Sequence, residues 1–252
     1  MSADPQNPDS SAPFPLVAPP FDGDCRTVPA GAAIEWLRFG WELFVRSPGS
    51  WALLALIFLL ITLAVNMVPL AGTLASHLML PLLAAGMLHA VRRQEEGARV
   101  EVNELFIGFR HQTTNLVLVG LCYMVGWFAI LFVGMLIGGG SVLGSAATGG
   151  YGLAIAGVLL AILISLALAI PLFMAFWFAP ALVFFNQMSP SAALKASFNA
   201  CLRNFLPFSL FGLMLFVLFF FAALPMGLGL LVLLPVSFAA LYASYRDIFP
   251  TA

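Results

Sequence analysis

Three long apolar runs, separated by short charged segments, organise the chain. Residues 47–91, 111–194 and 204–245 contain no Asp, Glu, Lys or Arg. About 20 apolar residues are enough for a helix to cross the hydrocarbon core of a bilayer, so each run has the length for two crossings. The pattern therefore predicts an all-α, polytopic membrane helix bundle with six transmembrane helices arranged as three hairpins.

Turn-forming residues divide each apolar run. Asn, Pro and Gly gather in residues 66–73, and Pro225, Gly227 and Gly229 form a tight turn. Residues 138–152 are rich in Gly and Ser. Because Gly loses conformational entropy in a helix, we expect a loop there. The predicted spans are residues 50–68, 72–91, 115–137, 153–178, 205–223 and 228–245.

An amphipathic segment precedes each hairpin, and the first covers residues 29–46. Its apolar residues recur at helical spacing, and charged residues lie three or four positions apart on the other face. Trp and Phe suit the headgroup region, so we expect this helix to lie on the membrane surface. The alternative is a helix packed on other protein. The apolar residues are Ile34, Leu37, Trp41 and Phe44.

The other two amphipathic segments have the same character. The second covers residues 100–111, with an apolar side of Val102, Leu105, Phe106 and Phe109. The third begins at Ser189 and Pro190, a good N-cap followed by a good first helical residue. Its polar stripe consists of Lys195, Asn199 and Arg203, and its apolar side of Leu194, Phe198 and Leu202. The residues predicted to lie at the membrane interface are Trp36, Trp41, Trp51, Arg46, Arg110 and Arg203.

The second span of each hairpin carries a Pro that is followed four residues later by Ala. Pro is tolerated in membrane helices because neighbouring groups satisfy the carbonyl that it frees. These prolines are Pro81, Pro171 and Pro235, and we expect each to bend its helix at a shared depth. A pseudo-threefold bundle is one interpretation, and chance similarity in a low-complexity apolar sequence is the alternative. The predicted repeat units are residues 29–93, 100–187 and 188–247.

Charge distribution predicts the orientation of the chain. Residues 1–28 contain six Pro and no apolar signal core, so we expect a disordered, Pro-rich cytosolic tail. All ten Lys and Arg residues lie on one side of the six-span arrangement. Since basic residues stay on the cytoplasmic side, both termini are predicted to be cytoplasmic. Nine Arg against one Lys is typical of a GC-rich bacterial genome, which indicates a bacterial inner membrane.

Composition excludes several classes of function. The chain is 62% hydrophobic and 8% charged, whereas soluble domains are about 25% charged. Its net charge of −1 gives no basic patch for nucleic acid. No charged residue lies within a predicted span, and such residues mark ion and proton pathways. The three Cys lack metal-binding spacing and are interpreted as small packing residues. We therefore expect no catalytic residues, no metal and no cofactor.

A family resemblance rests on the repeated unit of an amphipathic segment and a proline-bearing hairpin. It also rests on three short segments: WFAP at residues 177–180, residues 197–204, and the ending ASYRDIF at residues 243–249. The chain resembles a family of uncharacterised proteobacterial six-span membrane proteins over about residues 30–249. More distantly, it is similar to the membrane region of some glycerophosphodiester phosphodiesterases. Their catalytic barrel, with its metal-binding Glu and Asp, has no counterpart here, so the resemblance does not imply that activity.

Three functions remain open on the sequence. The favoured one is a non-enzymatic accessory or scaffold protein that binds protein partners or membrane lipid, and homo-oligomerisation is compatible with it. A passive or lipid-directed transporter is the alternative, and it requires a cavity between the helices that contain Pro81, Pro171 and Pro235. An intramembrane enzyme is the least favoured, because no paired acid, base or metal cluster is present.

Overall fold

The structure is a computed structural model that describes residues 21, 23–148 and 150–249. Within these residues the chain is helical and contains no strand. The elements are α1 (Ala32–Arg46), α2 (Pro48–Asn66), α3 (Ala71–Glu95), a 3₁₀ helix (Val102–Phe109), α4 (Thr113–Thr148), α5 (Tyr151–Trp177), α6 (Ala179–Asn186), α7 (Pro190–Arg203), α8 (Phe205–Ala223) and α9 (Leu230–Ile248).

The prediction of six membrane spans is confirmed. Six helical stretches of the described chain are long and apolar enough to cross a membrane: α2, α3, α4, α5 together with α6, α8 and α9. They form three hairpins, each preceded by an amphipathic element, namely α1, the 3₁₀ helix or α7. We call the end of the bundle that carries Arg46, Arg93 and Arg246 the charged end. The opposite end carries the three hairpin turns.

The loop predicted at residues 138–152 is wrong, because α4 continues to Thr148 and α5 begins at Tyr151. Its small residues allow close helix packing instead. A Cβ on Gly138 would lie 3.4 Å from that of Ala161, and a Cβ on Gly157 would overlap Ser141. A membrane helix satisfies its backbone internally, which outweighs the entropic cost of Gly. At 1.5 Å per residue the 36 residues of α4 extend about 54 Å, longer than a hydrocarbon core of about 30 Å.

Each amphipathic element packs on the proline-bearing helix of a different hairpin. The 3₁₀ helix lies on α3, α7 lies on α5, and α1 lies on α9, so the contacts close in a ring. A Cβ on Gly108 would overlap the carbonyl of Leu82, and a Cβ on Gly40 would overlap that of Val236. Leu82 and Val236 directly follow the prolines of their helices. The division into repeat units stays a prediction, and this ring of contacts is the observation that supports it.

The burial of α1 differs from the sequence prediction. Its buried residues include Ala33, Trp36 and Gly40, whereas Ile34 and Trp41 of the predicted apolar face are exposed. α9 and α8 of the same chain cover the buried face of this helix, and its position at the membrane surface stays a prediction. The exposed apolar face remains available to lipid. α7 likewise buries small residues: Ala193, Ala196, Ser197, Ala200 and Cys201.

The last residues of the predicted tail are fixed to the charged end. The backbone N–H of Arg26 donates to the carbonyl of Ile248 at 2.9 Å. Asn204 accepts a hydrogen bond from the N–H of Val28 at 2.8 Å and donates its side-chain amide to the carbonyl of Arg26 at 3.0 Å. The prediction of a disordered tail is therefore wrong for residues 26–28. Residues 1–20 and 22 lie outside the described part of the chain.

Candidate functional site

An apolar cavity of about 400 Å³ opens sideways between the second and third hairpins. We call it the lateral groove. α5 forms one wall, and the first turns of α8 form the other, with the end of α7 between them. Gly212 leaves open space in the α8 wall, since a Cβ there would meet no atom within 4 Å. The lining residues are Trp127, Leu166, Ala169, Ile170, Phe173, Met174, Trp177, Cys201, Phe205, Phe208, Ser209 and Gly212.

The position of the lateral groove determines what can enter it. Phe205 is the first residue of α8 at the charged end, and Gly212 lies about 10 Å further along the helix at 1.5 Å per residue. The groove therefore occupies the half of the membrane next to the charged end. Leu166, Ile170 and Phe205 are exposed at its rim. In a bilayer, the medium in contact with such a rim is the lipid acyl chain.

A second cavity of about 220 Å³ lies between α3, α5 and α9, the three proline-bearing helices, and we call it the central cavity. Phe173 and Trp177 line both this cavity and the lateral groove. The remaining lining residues are Leu80, Ala84, Leu88, Phe176, Pro180, Leu215, Ser237, Phe238 and Leu241. The two cavities are thus neighbours that share one aromatic wall.

Trp177 in this wall carries an unsatisfied donor. Its Nε1 is the buried side-chain polar atom without a hydrogen-bond partner in the described part of the chain. The ring packs edge-on against Phe208 and Phe211, with centroids 6.3 and 6.1 Å away. A buried donor without a partner costs free energy, and the sequence alone gave no signal of it.

The three prolines lie inside helices but do not line the cavities. Pro81 and Pro235 are buried, whereas Pro171 is exposed. Neither the lateral groove nor the central cavity has any of them in its lining. The central cavity is lined instead by close neighbours, such as Leu80 before Pro81 and Ser237 after Pro235. The sequence therefore identified the correct helices but not the correct residues.

The predicted interfacial tryptophans separate into two environments. Trp41 is 54% exposed, whereas Trp36 and Trp51 are 3% and 0% exposed. Nε1 of Trp36 donates to Asp247 at 3.1 Å, and Nε1 of Trp51 donates to Gln94 at 2.6 Å. Protein acceptors allow the rings of Trp36 and Trp51 to be buried, and the interfacial position of the three tryptophans stays a prediction.

The predicted interfacial arginines all lie exposed at the charged end. They are Arg46, Arg110 and Arg203. Arg203 donates to the backbone carbonyl of Cys25 at 3.3 Å, which holds the N-terminal segment. Sequence reasoning missed Gln94, which is buried and donates to the Leu43 carbonyl at 3.3 Å. Gln94 lies in a charged segment of the sequence, so the residue pattern did not indicate that its side chain is buried.

The charged end is held by ion pairs that join distant parts of the chain. Arg26 pairs with Asp247, and Arg246 pairs with Glu95. Both connect α9 to earlier elements, so they close the ring of hairpins. All four side chains are partly solvent-exposed, which limits the contribution of each pair to stability.

The described residues contain no group of three or more His, Cys, Asp or Glu placed to hold a metal ion. Cys25 and Cys201 are buried, and Cys122 is exposed along α4. Burial, with a smaller contribution from the neighbouring Cys25, raises the pKa of the Cys201 thiol to about 12.

A relative supports the membrane assignment. A probable inner membrane protein of Burkholderia thailandensis is 33% identical over 249 residues, an alignment that covers 88% of this chain and 92% of the relative. No model of a protein family matches the chain, and no solved structure matches it. Nothing in these comparisons links the chain to the glycerophosphodiester phosphodiesterases.

Proposed function

Since the chain belongs to the family of this Burkholderia inner membrane protein, we propose that it is a non-enzymatic accessory protein that binds a membrane lipid. It is a multi-pass inner membrane protein with six candidate spans. The lateral groove is the single observation that carries the proposal. It is apolar, opens toward the bilayer, and has a volume of about 400 Å³.

The chemistry of the groove favours an acyl chain as the occupant. Small-molecule sites measure roughly 300–1,000 Å³ and are mostly apolar with a few polar groups, and this groove has that size and character. Its side-chain hydroxyl is that of Ser209, and Trp177 contributes an indole. With both termini in the cytoplasm, as predicted, the groove faces the inner leaflet. A phospholipid can therefore enter sideways without leaving the membrane.

A substitution of Gly212 tests this proposal. Gly212→Phe adds a ring at a lining position of the groove where a Cβ meets no atom within 4 Å. We expect the variant to fold and to retain less phospholipid per protein after purification in mild detergent, as measured by mass spectrometry. The matched control is Gly139→Phe, since Gly139 also has open space but lies outside the groove. Equal lipid retention in both variants and the parent protein would contradict lipid binding in the groove.

The central cavity favours a second candidate function, lipid-directed transport. It lies between the three proline-bearing helices and is separated from the lateral groove by Phe173 and Trp177. A transporter would let a lipid pass this aromatic wall, whereas an accessory protein would hold the lipid in place. Movement of a fluorescent phospholipid across proteoliposomes distinguishes them. Transport that Gly212→Phe abolishes would replace the accessory role with this candidate.

A further inference from the structure

A separate, polar cavity of about 480 Å³ lies at the charged end. It is formed by the end of α3, the end of the 3₁₀ helix, the two residues before α4 and the end of α6. It shares no lining residue with the lateral groove. The lining residues are His89, Arg92, Arg93, Glu96, Ile107, His111, Gln112, Phe184, Phe185 and Gln187.

Two consecutive arginines give this polar cavity its charge. Arg92 donates through Nε to Glu96 at 2.9 Å, which uses one of the five N–H donors of a guanidinium. Its guanidinium carbon lies 5.5 Å from the ring centroid of Phe185, and this stacking orients the planar group. Arg93 lies 3.6 Å from Glu104, beyond normal hydrogen-bond distance. Both arginines therefore keep donors for an anion.

Two histidines also line the cavity. His89 is held through Nδ1 by Glu104, and His111 is exposed at the opposite wall. The charged groups in the lining are the carboxylate of Glu96 and the guanidinium groups of Arg92 and Arg93. Glu104, outside the lining, contacts His89 and Arg93. An anionic ligand would therefore bind through the guanidinium N–H donors that these carboxylates leave unused.

Two residues with strained backbone conformations also line this cavity. Gln112 and Gln187 have φ angles of 57° and 54°, in the left-handed region that disfavours non-glycine residues. Both line the polar cavity. Two other described non-glycine residues have a positive φ, Leu70 and Met226, and both lie in hairpin turns at the far end of the bundle. Strained residues persist where the surrounding structure compensates, and they gather at functional sites.

We propose that the polar cavity binds a phosphate-bearing anion. Arginine guanidinium groups match phosphate oxygens in pairs of parallel hydrogen bonds, and the glutamine amides supply further donors. Gln112 directly precedes α4, so the N-terminus of a 36-residue helix also faces the site and favours negative charge. The phosphate belongs either to a lipid headgroup in the adjacent leaflet or to a soluble metabolite.

Calorimetric titration of the purified full-length protein with inorganic phosphate tests the site. We expect Arg93→Gln to weaken binding by about tenfold, which corresponds to loss of one charge-assisted hydrogen bond. Arg99→Gln is the matched control, because Arg99 is exposed on the neighbouring connection and does not line the cavity. Absence of phosphate binding by the parent protein, or equal loss in both variants, would overturn the proposal.

A second variant separates binding from folding. Gln187→Gly relieves the left-handed strain and removes one amide donor, so we expect a higher melting temperature together with weaker phosphate binding. Met226→Gly relieves similar strain at the far end and should raise stability without changing binding. A purely structural role for Gln187 predicts unchanged binding, which would contradict the proposal.

Competition identifies the source of the phosphate. If nanodiscs of phosphatidylglycerol displace inorganic phosphate and nanodiscs of phosphatidylcholine do not, the natural ligand is an anionic lipid headgroup. If neither displaces it, the ligand is a soluble phosphate compound. A result that contradicts lipid binding in the lateral groove does not change the expected phosphate titration, so the two proposals are tested independently.

Discussion

At the scale of single residues, the buried tryptophans differ in whether the indole N–H has a hydrogen-bond acceptor. Trp51 and Gln94 form a buried pair in which the indole donates to the amide oxygen. The amide in turn donates to Leu43 and to Ser47. Trp177 has no such partner for its Nε1. The same side chain is therefore satisfied in one hairpin and unsatisfied beside the two cavities.

A matched pair of substitutions tests this difference. Trp51→Phe leaves the buried oxygen of Gln94 without its donor, so we expect a loss of about 1–3 kcal/mol. Trp177→Phe removes a donor that had no partner and should cost clearly less in lipid-free detergent. Thermal unfolding of both variants measures the difference. A larger loss for Trp177→Phe would show that its indole nitrogen is satisfied.

Thiol reactivity gives a second prediction at this scale. The thiolate is the reactive form of cysteine, and burial raises the pKa of Cys201 to about 12. The thiol thus stays protonated well above the pH at which an ordinary cysteine ionises, about 8.5. In a Cys25→Ala, Cys122→Ala background we expect maleimide modification of Cys201 to stay slow from pH 7 to 9. Modification should become fast after unfolding in detergent, as mass spectrometry can show. Rapid labelling of the folded protein would contradict this.

At the scale of the elements, small residues decide how helices meet. Lipid is as apolar as the side chains, so membrane helices associate through close packing rather than through hydrophobicity. Gly40 brings α1 onto the backbone of α9, and Gly108 brings the 3₁₀ helix onto α3. The Gly-rich end of α4 contacts α5 in the same manner. The amphipathic elements thereby become part of the bundle.

Gly40→Ala tests the packing of α1. Its new Cβ would overlap the Val236 carbonyl, a backbone atom that cannot turn away, so we expect destabilisation of about 1–3 kcal/mol. Gly49→Ala is the control, because a Cβ there meets nothing within 4 Å. It should be neutral or slightly stabilising, since Ala favours a helix. Thermal unfolding in detergent compares the two, and equal effects would exclude close packing at Gly40.

At the scale of the whole molecule, the hairpins close into a ring at the charged end. Three contacts join the first and last parts of the chain. They are the packing of α1 on α9, the ion pair of Arg26 with Asp247 and the ion pair of Arg246 with Glu95. The loop ends of the hairpins carry no charge. This asymmetry is the basis for predicting that the charged end is cytoplasmic.

Reporter fusions test that orientation. A reporter that is active only in the periplasm should be active when fused after Gly149 and inactive when fused after Ala252. The reason is that ten basic residues resist translocation together. Activity at both sites or only at Ala252 would contradict the predicted topology.

The class of protein, the number of spans and their pairing into hairpins follow from the amino-acid sequence. A helix must offer about 20 apolar residues to the bilayer core, and charged residues must lie outside it. Those requirements apply to each segment separately, so the periodicity of apolar residues and the positions of charged residues were sufficient to predict the spans. The length of α4 was the exception. A Gly-rich segment predicts a loop from sequence alone, and only its packing against α5 shows that it is helical.

Which faces are buried and where the cavities lie depends on how the helices pack against one another. Both lipid-facing and protein-facing positions are apolar, so hydrophobicity does not distinguish Trp36, which is buried, from Trp41, which is exposed. The prolines indicated the helices around the central cavity, but their neighbours line it. The lateral groove and the polar cavity bring together residues from three or more elements. Such sites arise from packing geometry, which residue size and partner shape determine jointly.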